Sequence, residues 1–109
     1  LLALRHAFGH PERVPAADAQ RIAADLASAA GFLPALLGTH TGRFTGGRDI
    51  DVPVTVVFGR RDRVVPRSAR LRDELPAHTR WLEPPDLGHV PMWDDPAAVA
   101  HAILAAATP

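Results

Sequence analysis

The stretch VPVTVVFGRRDRVVP, residues 52–66, changes character at its midpoint. Its first half is a run of β-branched and aromatic residues ended by Gly59, which predicts a strand buried on both faces, the usual state of strands in parallel sheets. Its second half is charged, with Asp62 four residues beyond Phe58. Taken alone, an acid in a glycine-bounded turn is most often a turn former. The residues beyond this turn give Asp62 a second reading.

Downstream, PRSARLRDELP (residues 66–76) spaces Leu71 and Leu75 four apart and closes on Pro76, which predicts a helix. HTRWLE (78–83) reads as a second short strand with Trp81 and Leu82 on opposite faces. DDPAAVAHAILAAA (94–107) reads as a closing helix, with Asp95 as N-cap, Pro96 at the first helical position, and Val99, Ile103 and Ala106 as its buried stripe. Strand, helix, strand implies a right-handed crossover between parallel strands, so both strands end at one edge of the sheet. Neighbouring strands lie about 4.8 Å apart, and the loops leaving that edge form the usual ligand site of open α/β sheets.

The second of those loops is PPDLGHVP (84–91), which carries His89 six residues beyond Glu83. Asp62 and His89 are therefore expected to meet. A carboxylate against one ring nitrogen fixes the tautomer of a histidine and stabilises the imidazolium formed when the other nitrogen takes a proton. Gly88 is expected to permit a tight bend and a close substrate approach, and Arg60, Arg61 and Arg63 to favour the ionised form of Asp62. Asp86 is the rival acid, but at three residues before His89 it is better placed to shape its own turn. Asp49 and Asp51 belong to the opposite edge. Met92 and Trp93, just after His89, either line a substrate pocket or pack on the closing helix.

Upstream, AADAQRIAADLASAA (16–30) carries Ile22, Leu26, Ala29 and then Leu33 at offsets of 0, 4, 7 and 11, the stripe of an amphipathic helix. Pro15 precedes it, Asp18 suits its first turn, and Gly31 is read as its stop. FLPALLG (32–38) is read as a short helical turn opened by Pro34 and closed by Gly38. THTGRFTGGRD (39–49), with three glycines and little periodicity, is read as a loop and a boundary. The expected organisation is a helical segment over 1–48 and a strand–helix–strand–helix portion over 49–109. His6 and His10 have the spacing of a helical metal pair, but Gly9 weakens that helix and no site for a metal is expected there. His40, His78 and His101 are read as surface residues or strand starts.

Residues 50–106 resemble the C-terminal portion of the α/β-hydrolase fold. IDVPVTVVFGRRDRVVP is similar to that family's penultimate core strand and the G-x-x-D turn bearing the triad acid, matched by Gly59 and Asp62. LEPPDLGHVPMWDDP is similar to its last strand and the G-H-x-P turn bearing the triad histidine, matched by Gly88, His89 and Pro91. Residues 1–48 look like the cap helices that often come before. The resemblance implies an α/β fold with two parallel strands and flanking helices preceded by a helical cap-like segment, and a nucleophile–His–Asp triad acting on an ester, amide or related small molecule. It implies Asp62 and His89 as catalytic residues and no metal or organic cofactor; Met92 and Trp93, by their place beside His89, are the candidate substrate-binding residues. The family places its nucleophile upstream in a G-x-S-x-G elbow. Only Ser28, in LASAA, and Ser68, in PRSAR, occur here, and neither sits in such an elbow. With a chain that begins Leu1–Leu2–Ala3, the expectation is that the rest of the fold lies upstream and that this portion is inactive alone.

Composition narrows the other classes. Twelve basic residues, all arginine, balance twelve acidic ones, so no net field draws the chain to nucleic acid or an anionic membrane. Without cysteine, disulfides, thiolate metal sites and cysteine nucleophiles are excluded. The apolar runs fall far short of the roughly 20 residues that span a bilayer, and LLALRHAF lacks the layout of a secretory signal. A soluble, cytoplasmic chain is expected. The alternative to a hydrolase portion is a non-catalytic fragment or interaction module, its free strand edge open to a partner.

Overall fold

A computed structural model describes residues 3–42 and 44–107, with the side chains of residues 3, 4, 40 and 41 left aside; the Leu1–Leu2 start and the His40 side chain thus lie outside the described part. The chain is a small mixed α/β protein with two parallel strands and several helices. Strand β1 (Thr55–Val57) pairs with β2 (Arg80–Leu82) in the register Thr55↔Arg80, Val56↔Trp81, Val57↔Leu82. Helix α1 spans Ala16–Ser28, α2 Phe32–Thr41 and α3 Pro96–Ala107, with short 3-10 turns between the other elements.

β1 departs from the sequence reading in one respect. Its three residues are half-buried, because the sheet has two strands and β1 keeps one edge free. A β-branched run marks a strand suited to full burial, but burial needs a layer on each side.

The larger departure is in residues 66–76. In place of one helix there are two 3-10 turns, Arg67–Ala69 and Arg72–Glu74, separated by Leu71 in the left-handed region at φ 45°. The cause is the pair of arginines around it. Arg70 and Arg72 both reach Glu83 Oε1, at 3.4 and 2.6 Å. Arg70 also lies over the Phe58 ring and Arg72 over Trp81, with those two rings stacked on each other. Residues two apart on an α-helix do not share a face, so a continuous helix could not deliver both guanidinium groups to one carboxylate. The Arg72 hydrogen bond in turn holds the Glu83 carboxyl below the ordinary carboxylate range, against the opposing effect of burial.

The helices shift at their ends. α1 stops at Ser28 on Ala29, and Gly31 begins α2 instead of merely ending α1. α2 runs through Gly38 to Thr41, where the Gly42 N–H closes it on the Gly38 carbonyl at 2.9 Å. The expected loop is therefore shorter than residues 39–49, and it includes a further 3-10 turn at Gly47–Asp49. α3 begins as read: Asp95 Oδ1 accepts the Ala98 N–H at 2.9 Å. Its expected buried stripe is not buried, since Ile103 is 63% exposed. Val99, Ile103 and Ala106 line an open groove of about 150 Å³ beside Thr55 and Val57 of β1. No single helix among the described residues is long and apolar enough to cross a membrane.

Candidate active site

The loops that leave β1 and β2 are zipped together well past the strands. The Phe58 N–H donates to the Leu82 carbonyl at 3.0 Å, Arg60 N–H to Pro84 at 2.9 Å and Arg61 N–H to Leu87 at 3.0 Å. Gly59 makes this possible, because a Cβ there would stand 1.9 Å from the Leu87 carbonyl oxygen. The Asp62 N–H then bonds to the Gly59 carbonyl at 3.1 Å and closes a turn. Asp62 Oδ1 accepts the N–H groups of Val64 and Val65 at 2.8 and 3.0 Å, a local side-chain-to-backbone turn for which aspartate is suited.

This leaves the second carboxylate oxygen for His89. Asp62 Oδ2 lies 3.1 Å from His89 Nδ1. The Asp62 side chain is 3% exposed and the imidazole 40% exposed. Burial works to raise the Asp62 carboxyl, but the N–H of Val65, the His89 ring and the N–H of Val64 together outweigh it and hold it below its ordinary value of 3.8. An ionised carboxylate only accepts, so the shared hydrogen sits on Nδ1 and the Nε2 lone pair is left free in the neutral ring. Among the described residues Nε2 has no hydrogen-bond partner. One half of the imidazole is thus fixed by a buried acid and the other is available to take a proton.

The structure sorts the remaining candidates. Asp86 pairs with Arg61 at 3.2 Å and with His10 Nε2 at 3.8 Å, while His89 Nδ1 pairs with Asp62. The flanking arginines are not what holds Asp62 ionised: Arg61 is directed to Asp86 and the Gly9 carbonyl, and the charge on Asp62 is met by backbone N–H groups. Met92 and Trp93 lie in the 3-10 turn Pro91–Trp93 that packs on α3; Met92 is exposed and Trp93 half-buried. Ser28 donates to the Asp25 carbonyl at the end of α1, and Ser68 is exposed in the turn Arg67–Ala69, so neither is bonded to His89. His6 and His10 do not share a helix: one ends the turn Ala3–His6 and the other precedes the turn Pro11–Arg13. His78 bonds the Val52 carbonyl through Nε2 and His101 is exposed. Among the described residues no group of three metal-ligating side chains gathers.

Two features escaped the sequence. Gly88 provides close approach, but to the chain's own backbone: a Cβ there would lie 2.3 Å from the Gly9 N. Asp94, overshadowed in the sequence by the N-cap Asp95, is buried and accepts from Gly9, His10 and Gly88. The one signal for it was an acid directly before an N-cap, where the helix itself has no use for it. Comparison with family models, curated proteins and solved structures finds no match for this chain.

Proposed function

We propose that Asp62 and His89 are the acid and the general base of a nucleophile–His–Asp triad, and that the chain is the C-terminal portion of an α/β-hydrolase acting on an ester, amide or related small molecule. The observation that carries this reading is the contact of a buried, backbone-anchored Asp62 with Nδ1 of a half-exposed His89. His89 Nε2 takes the proton of a hydroxyl nucleophile as it attacks the carbonyl carbon, and Asp62 stabilises the imidazolium so formed. The same proton then passes to the leaving group, and water repeats the sequence on the covalent intermediate. In this reading the nucleophile comes from outside these 109 residues, since neither Ser28 nor Ser68 sits in a G-x-S-x-G elbow or is hydrogen-bonded to the imidazole.

The test is hydrolysis of p-nitrophenyl acetate by the chain alone and by the chain extended with its upstream coding sequence. The extended protein should be active and the 109-residue chain not. His89→Ala in the extended protein should lower kcat by about 10³-fold or more. Full activity without His89 overturns the assignment.

A second reading, a non-catalytic interaction module, draws on the apolar side chains that α2 leaves exposed, among them Leu33 and Leu37, each 60% exposed. An extended protein with no esterase or amidase activity favours it.

A further inference from the structure

Among the described residues, the charged groups buried as whole residues are Arg70 and Asp94. Arg70 is accounted for by Glu83 and Phe58. Asp94 has no such side-chain partner. Its Oδ2 accepts the N–H of Gly88 at 2.7 Å and of Gly9 at 3.0 Å, and its Oδ1 the N–H of His10 at 2.8 Å. Three N–H donors suit an ionised carboxylate, which only accepts. Asp95 already caps α3, so Asp94 is not needed there.

What Asp94 gathers is the backbone around His89. The peptide N–H before His89 goes to Asp94. The one after it, at Val90, donates to the Ala7 carbonyl at 2.9 Å. Both flanks of His89 are thereby tied to the strap Ala7–His10, and Arg61 Nη1 ties the Gly9 carbonyl to the acid-bearing loop at 3.3 Å. Phe8 and Leu87 are buried in this region. The His89–Asp62 bond of 3.1 Å is lost if the imidazole shifts by roughly half an ångström.

The geometry points to Asp94 as a positioning residue: it clamps the N-terminal strap against the histidine loop and so holds His89 Nδ1 at Asp62. This rests on the reading of His89 as the base, and adds to it a carboxylate that touches neither reacting group.

Nitrogen-15 NMR of the imidazoles reads the consequence in the chain as it stands. His89 should carry its hydrogen on Nδ1 in the wild type. Asp62→Asn should abolish that preference, and Asp94→Asn should lower the Nδ1–H share by about twofold or more, with His78, bonded to Val52 near the other end of the strands, unchanged in both. Should Asp62→Asn alter the tautomer while Asp94→Asn does not, the clamp is wrong and the base reading stands. Should Asp62→Asn also leave it unchanged, both fail. If Asp94→Asn does not fold, amide exchange in the wild type decides: the Gly9, His10 and Gly88 N–H groups should be protected and open together as one unit. Protection of Gly88 with free exchange at Gly9 and His10 overturns the clamp.

Discussion

The rim around His89 and the flanks formed by α2 and α3 are built on opposite terms. At the rim, three stretches of backbone approach to distances that only glycine permits, and two aspartates collect five backbone N–H groups between them, Val64 and Val65 on Asp62 and Gly9, His10 and Gly88 on Asp94. On the flanks, Leu33, Leu37, Ile103 and Leu104 are each 60% exposed or more. Apolar burial is ordinarily the dominant favourable term in folding. Among the described residues the buried large apolar side chains, Phe8 and Leu87, sit beside the rim. Buried contacts in this chain are concentrated around one imidazole.

The strongest way to break the contrast is to part the two loops. Gly59→Ala places a methyl group 1.9 Å from the Leu87 carbonyl oxygen and 2.3 Å from its carbon, both backbone atoms that cannot rotate aside. The expected cost is about 3 kcal/mol or more, a large share of the stability of a small domain, read as the shift of a urea unfolding midpoint at unchanged slope. A loss below about 0.5 kcal/mol, the range of ordinary surface changes, would mean that the loops are not held in contact in solution.

Asp62→Asn is the intermediate case and carries a pH signature. The Asp62 carboxyl is held below its ordinary value of 3.8 in the fold. Its contribution is therefore complete above that value and is lost as pH falls through the lower folded one. At neutral pH the substitution should cost about 1.5 to 3 kcal/mol, the worth of hydrogen bonds to a charged group. The difference between wild type and variant should shrink below about pH 4 and vanish in stronger acid. A difference that persists in strong acid would assign the loss to packing instead of charge.

How much of this was legible depends on the range of each interaction. The strands showed because a β-branched run bounded by glycine is a local pattern, and the meeting of Asp62 with His89 came from two parallel strands ending at one edge. The region 66–76 misled because Leu71 and Leu75 have helical spacing, while the controlling contacts run from Arg70 and Arg72 to Glu83, 13 and 11 residues away. Asp94 left only the faint signal of an acid directly before an N-cap: its bonds to Gly9 and His10 span 85 and 84 residues and end on backbone N–H groups, which any residue type but proline would offer. The stripe of α3 was read for its face correctly but not for its cover. Periodicity marks which side chains align, and says nothing of whether a layer lies on them.

The smallest expected effect tests that last point. Leu37 is 60% exposed on α2 and Ile103 63% exposed on α3, so replacing either by serine removes little surface that folding hides. Leu37→Ser and Ile103→Ser should each change the unfolding free energy of the isolated chain by less than about 0.5 kcal/mol, as surface substitutions do. A buried leucine or isoleucine would cost several times more on truncation. If the extended protein is tested in the same way and Ile103→Ser then costs about 2 kcal/mol or more, the groove between α3 and β1 has gained a cover. If the cost is already that large in the 109-residue chain, the groove closes in solution without one, and the contrast between rim and flank fails on the flank side.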